Sequence, residues 1–164
     1  MEPRWLTAEE QQIWRAYRDL SLLLEDTLDQ QLRHDAGLSH LHYSVLVFLS
    51  EAPDRRLRMT DLAERLKVAR SRLTYVIGRM VDEGWVRREG SPGDKRGQLA
   101  VLTDAGMTVL GHAAPGHVAT VRAAVFDRLS PEQVHAFDEI CRTILAGLTG
   151  PDRPIAATDL PWRR

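Results

Sequence analysis

Residues 69–83 read Ala69-Arg-Ser-Arg-Leu-Thr-Tyr-Val-Ile-Gly-Arg-Met-Val-Asp-Glu83. Leu73, Val76, Ile77 and Met80 recur at i, i+3, i+4 and i+7, the stripe by which a helix buries one side. At about 100° per residue, Ser71, Tyr75, Gly78 and Asp82 fall opposite that stripe, with Arg72 and Arg79 on one flank and Thr74 on the other. An outer side of hydroxyls, guanidinium groups and a glycine has the chemistry to enter the DNA major groove, about 12 Å wide. Arginine forks onto guanine, Ser and Thr bond base edges or phosphates, and glycine permits close approach. An ordinary surface helix is also hydrophilic outside, so the neighbouring segments must decide.

Upstream, Thr60 is placed to cap a helix over Asp61–Lys67, whose Leu62, Ala63 and Leu66 share one side and whose Asp61 suits the positive end of the helix dipole. Downstream, Gly84 is a helix-ending glycine. Trp85–Glu89 and Gln98–Leu102 then read as two strands, joined by Gly90-Ser-Pro-Gly-Asp-Lys-Arg-Gly97, a loop too long for a two-residue turn. A helix, a short turn, a helix with basic and hydroxyl residues near its start, and a hairpin with a cationic tip form the winged helix-turn-helix order. Its second helix lies in the major groove and its loop reaches backbone or minor groove. Asp94, Lys95 and Arg96 suit the wing tip, an acid able to orient a cation.

Working outward, Ile13, Trp14, Tyr17, Leu20, Leu24, Leu28 and Leu32 predict a long helix from Glu9 to about His34, interrupted by Gly37. Ser39 can cap a second helix that ends at Pro53. Thr103-Asp104 starts another helix running to about Leu129, where Pro115 is expected to impose a break or kink. Ser130-Pro-Glu-Gln133 opens a last helix to about Leu148. The fold class expected is mainly α with a small β hairpin. One domain covers 1–164: a winged helix-turn-helix over 38–103, helical dimerisation segments over 9–34 and 104–148, and a flexible tail over 149–164.

Charge supports this division. Residues 55–96 hold twelve Lys/Arg against six Asp/Glu, a balance of +6, which leaves −7 for the rest of a 164-residue chain of net charge −1. A cationic module on an anionic body is the footprint of a phosphate-backbone binder. No run approaches the ~20 apolar residues of a membrane span, and the N-terminus lacks a secretory pattern. With a single cysteine, Cys141, a cytoplasmic protein without an intrachain disulfide is expected. Phosphate loops, HExxH motifs and nucleophile elbows are absent from the sequence, so an enzyme is not expected and no cofactor is implied.

The segments Met59–Leu66, Arg79-Met80, Glu83–Arg88, Asp94–Arg96 and Leu102–Gly106 together resemble the MarR (multiple antibiotic resistance regulator) family. That resemblance implies a homodimeric regulator, usually a repressor, with two recognition helices on a pseudo-palindromic operator in double-stranded DNA. The DNA-contacting residues it implies are Arg70, Ser71, Arg72, Thr74, Tyr75 and Arg79 on the recognition helix, and Arg88, Ser91, Asp94, Lys95 and Arg96 on the wing. Ala69 departs from the capping hydroxyl often found at the start of that helix and leaves the start point open. A dimer also follows from the apolar stripes of the first and last helices, which a winged core has no surface to cover.

The resemblance further implies a small aromatic or phenolic effector, lined by Trp14, Arg15, Tyr17, His42, Leu46 and His112. Trp14 and Tyr17 also fit the apolar stripe of their helix, and Arg15 also fits solvent. Some relatives sense zinc through histidines, which makes a zinc-responsive regulator an alternative. Yet His112 and His117 diverge by about 140° on an unbroken helix, so no metal ligands are assigned. Cys141, among Phe137, Ile140, Ile144 and Leu145, reads as a buried, inert thiol. A non-specific architectural DNA-binding protein is the remaining alternative.

Overall fold

The computed structural model describes residues 3–91 and 94–149, with 94–96 described by backbone alone; the expected flexible tail beyond Thr149 lies outside the described residues. Helix α1 spans Ala8–Ala36. Thr7 and Glu10 close a capping box at its start, the Thr7 N–H donating to Glu10 Oε2 at 2.7 Å and the Glu10 N–H to Thr7 Oγ1 at 3.2 Å. Gly37 ends it at φ 66°, a conformation that glycine adopts without a Cβ penalty. Leu38, fully buried, follows at once, and Ser39 caps helix α2, His40–Glu51. His42 occupies the third position of that cap and returns the bond with its ring, Nδ1 accepting from the Ser39 N–H at 3.4 Å and lying 2.9 Å from the Ser39 hydroxyl.

The DNA-module sequence folds as strand β1 (Arg56–Arg58), helix α3 (Met59–Leu66), helix α4 (Arg70–Asp82), and strands β2 (Val86–Ser91) and β3 (Asp94–Leu102). The expected hairpin is thus part of a three-stranded antiparallel sheet in the order β1-β3-β2. Three residues are too few to show alternation in sequence. β1 is a strand because β3 offers it an edge, on which Leu57 pairs with Ala100 and is buried. This extra strand also moves the helix start. Arg58 is still extended when it becomes the N-cap, so α3 begins at Met59 and Thr60 lies inside it, its hydroxyl donating to Asp61 Oδ1 at 3.1 Å rather than capping. The hairpin strands are longer than expected and the connection shorter. Ser91 pairs with Asp94 across positions 92 and 93, after a register shift between Gly90 and Ser91.

Helix α4 ends as its sequence implies. Gly84 at φ 75° gives a Schellman motif, its N–H donating to Val81 O at 2.9 Å and the Trp85 N–H to Met80 O at 2.9 Å. Helix α5, Asp104–Ala124, runs through Pro115 without the expected break. The carbonyl facing the proline ring belongs to Gly111, and the buried neighbours Ala113 and Ala114 hold this turn against the core. The helix stops short of Leu129 because Val125 leaves helical geometry (φ −122°, ψ −72°), after which Phe126–Arg128 form a 3-10 turn. There Arg122 pairs with Asp127 at 2.6 Å and the Arg128 Nε donates to Ala123 O at 2.9 Å. Helix α6, Pro131–Thr149, carries the expected Ser130–Gln133 capping box.

The core sits inside the winged module. Leu46, Leu49, Leu62, Leu73, Ile77, Met80 and Val86 are buried to within 1 % and close over Leu32 of α1 and Leu110 of α5. By contrast, α6 buries none of its residues, and Cys141, expected to be buried, is only partly covered in the single chain because, among the described residues, nothing packs over its side of the helix. Among the described residues no helix is long and apolar enough to cross a membrane.

Candidate nucleic-acid interface

The amphipathic pattern of α4 sorts its side chains cleanly. Leu73, Val76, Ile77 and Met80 lie inside, at most 7 % exposed, while Arg70, Ser71, Arg72, Thr74, Tyr75 and Arg79 all face solvent. Tyr75 is 71 % exposed, far more than an aromatic ring needs if its only task were packing. Among the described residues, Arg70, Arg72 and Arg79 form no ion pair. The Thr74 hydroxyl, however, donates back to Arg70 O at 2.9 Å and has only acceptor capacity left.

The start of α4 is open. Ala69 is the N-cap and makes no side-chain bond, so the first-turn N–H groups have no capping oxygen. Against serine this costs about 1 kcal/mol, and it leaves donors at the positive end of the helix dipole, suited to a phosphate oxygen. Lys67 precedes it in a left-handed conformation at φ 56°, which completes the tight α3–α4 turn.

The wing residues separate. Arg88 is exposed, but its Nη2 donates to the carbonyl of Thr74, 3.0 Å away in the middle of α4. Ser91 is buried, 8 % exposed, so its hydroxyl is withdrawn from the surface where the sequence placed it. Asp94, Lys95 and Arg96 begin β3 at the hairpin end, and their side chains lie outside the described residues. Arg87 is taken up by Glu89 at 2.6 Å.

The six residues expected to line an effector site differ in burial. Trp14 and Tyr17 stack with ring centres 5.9 Å apart and are each about half exposed. Arg15 and His112 face solvent, whereas Leu46 is wholly buried in the core of α2 and offers a ligand no surface. His42 is half-buried with its ring set edge-on to Trp85, 6.4 Å between centres. Burial foremost, and then the nearby Arg33 and Arg79 charges, lower its pKa. An open hollow of about 340 Å³ lies in the helix-turn-helix, lined by Thr60, Ala63, Glu64, Lys67, Val68 and Arg70.

His117 is a residue whose setting the sequence did not disclose. Unlike the exposed His112, it packs between Tyr43, 4.3 Å away, and His40, 5.6 Å away. Its Nδ1 is buried and has no hydrogen-bond partner among the described residues. Burial first, then the His40 charge, drives its pKa down to about 4. His40 itself bonds Glu25 at 2.8 Å. Among the described residues, no three His, Cys, Asp or Glu side chains are grouped to hold a metal ion.

A second joint was legible only as a motif. The Leu102-Thr-Asp-Ala-Gly106 sequence brings the Thr103 hydroxyl to Gly84 O at 2.7 Å and Trp85 O at 3.0 Å, while the Gly106 N–H donates to Thr103 Oγ1 at 3.0 Å. Gly106 thus lies against the Trp85 carbonyl, where a Cβ has no room. This contact locks the wing base to the first turn of α5.

Known proteins share both sequence and fold. A MarR family model matches residues 36–97. The structure of Sco3205, a MarR family transcriptional regulator from Streptomyces coelicolor solved in complex with DNA, is 56 % identical; the match covers 99 % of this chain and 100 % of that one, with a TM-score of 0.85. AbsC, a MarR family transcriptional regulator from the same organism, is 40 % identical over 91 % of this chain and 100 % of its own, with a TM-score of 0.83. The transcriptional repressor YetL of Bacillus subtilis is 33 % identical over 101 residues, which span 62 % of this chain and 60 % of YetL. With near-complete coverage at 56 % identity and a winged helix-turn-helix bearing an arginine- and hydroxyl-rich α4, the chain belongs to the MarR family of DNA-binding transcriptional regulators.

Proposed function

We propose that this regulator is a cytoplasmic homodimer that represses transcription by reading a pseudo-palindromic operator and releases it when a small aromatic or phenolic effector binds. The observation that carries the reading is the solvent-facing side of α4: three guanidinium groups outside any ion pair among the described residues, two hydroxyls and Tyr75, opposite four buried apolar residues. Such a side matches the donor and acceptor pattern of the major groove. The open N-terminus of α4 would take a phosphate, and Lys95 and Arg96 the neighbouring minor groove. The DNA-bound state of Sco3205 and the repressor role of YetL support this reading. In it, residues 38–103 form the DNA module, and 9–34 with 104–148 form the frame.

Dimerisation is supported by apolar side chains that the single chain leaves uncovered. Phe137, Ile140, Ile144, Leu145 and Leu148 form one stripe along α6, each at least 40 % exposed, and Ile13, Trp14, Tyr17 and Leu20 do the same on α1. A stripe of this length is expected to be an interface. The Trp14–Tyr17 stack has the aromatic faces to hold an effector's ring, and Arg15, exposed on the same helix, carries a guanidinium for a carboxylate.

The test is selection of bound fragments from a random duplex pool, repeated with candidate aromatic acids. Arg72→Ala should cost about 1–3 kcal/mol on the selected site if Arg72 reads a base, and Arg96→Ala should lower the salt slope by about one contact. Equal affinity for every duplex would reduce the protein to an architectural binder. An Arg15→Ala variant that releases DNA at the wild-type effector concentration would remove Arg15 from the effector site.

A further inference from the structure

We propose that Arg88 is a positioning residue for base reading: it fixes α4 to the wing instead of touching DNA. The inference rests on the reading of α4 as the base-reading helix. Strand alternation places Arg88 on the same side of β2 as Val86, which is 1 % exposed, and opposite Ala100, which is fully buried. That side meets α4. Arg87, one residue earlier, points the other way and is neutralised by Glu89. The two adjacent arginines therefore have different tasks.

The Arg88 Nη2 sits 3.0 Å from the Thr74 carbonyl oxygen. This carbonyl already accepts the helical bond from the Gly78 N–H four residues on, and its second lone pair takes the guanidinium. Gly78 leaves the approach open, since even a Cβ there would lie only 3.8 Å from Nη2 and a longer side chain would occupy the guanidinium's place. The turn held in this way carries Tyr75 and Arg79, both exposed on the outer side of α4. One charged hydrogen bond thus sets the rotation of the recognition helix relative to the hairpin. Helix and wing must meet adjacent grooves of one duplex at once, so that relation governs how well bases are read.

The test compares wild type with Arg88→Met, which keeps the aliphatic stem and removes the donors. Binding is measured on the wild-type-selected duplex and on its scrambled version, across a salt series. We expect about a tenfold loss on the selected duplex, less than a threefold loss on the scrambled one, and a salt slope changed by less than half an ion. Combined with Arg72→Ala, the two losses should be less than additive, because both act through α4. In the DNA-free protein, amide exchange at Gly78 should quicken, a change that a phosphate contact cannot produce. Equal losses on both duplexes with a slope smaller by about one, and unchanged Gly78 exchange, would overturn the proposal and make Arg88 a phosphate ligand. Wild-type protein that binds both duplexes alike would instead overturn base reading by α4 and leave Arg88 nothing to position, while the exchange measurement would still report whether the latch exists.

Discussion

Replacing Gly106 with alanine should destabilise the protein although it places the best helix former in a helix. The added Cβ falls well inside contact distance of the Trp85 carbonyl oxygen, 2.7 Å from Leu102 Cδ1 and 3.0 Å from the Trp85 carbonyl carbon. Two of these three are backbone atoms, which cannot swing away as the Leu102 side chain could. Overpacking of this kind costs about 1–3 kcal/mol. Displacing Trp85 also strains the bonds its carbonyl accepts from the Thr103 N–H at 3.1 Å and hydroxyl at 3.0 Å, each worth about 1 kcal/mol. The gain in helix propensity returns about 1 kcal/mol. The net expectation is a loss of about 2–4 kcal/mol, which at a slope of about 2 kcal/mol/M lowers the urea midpoint by about 1–2 M. Gly111 on the same helix is the control, because a Cβ there meets nothing within 4 Å; Gly111→Ala should be neutral or stabilising by up to about 1 kcal/mol. Both are measured by urea unfolding at one fixed protein concentration. A Gly106→Ala midpoint at or above wild type would refute the argument that the wing base and α5 are locked through this contact.

Acid should weaken the fold through His117. Its folded pKa near 4 lies below the ordinary value of 6.5, so the unfolded chain binds the extra proton first. The stability involved is intact above pH 6.5 and is lost as pH falls towards 4, with a slope of up to about 1.4 kcal/mol per pH unit. His42, also lowered, adds in the same direction. Unfolding measured at pH 7, 6 and 5 should show a shallower decline for His117→Phe, and identical slopes would count against the burial of His117 between Tyr43 and His40. Ile144 is 54 % exposed in the single chain, so Ile144→Glu should leave the helical content of the monomer intact while shifting sedimentation from dimer towards monomer; an unchanged dimer would exclude the α6 stripe as the interface. Ser39→Ala removes the cap of α2 and should cost about 1 kcal/mol in urea unfolding, whereas an unaltered midpoint would mean the first turn of α2 does not depend on it.

Periodicity and caps make much of this protein legible in its amino-acid sequence alone. The stripe Leu73, Val76, Ile77, Met80 is the buried side of α4, Gly37 and Gly84 end their helices, and Ser39 and Ser130 begin theirs. These features are local: they depend on residues within one or two turns, where side-chain spacing and the lack of a Cβ act directly. Tertiary packing decided the rest. β1 exists because β3 lends it an edge, and that strand carries α3 back to Met59. Pro115 stays helical because neighbouring alanines are buried against the core. Ser91 carries no local sign that it turns inward, Arg88 none that it reaches the Thr74 carbonyl rather than solvent, and His117 none that it packs against Tyr43. A helix or turn is written in a short span of chain, but the partner of a side chain is set by which distant segment arrives beside it, and only the folded chain brings those segments together.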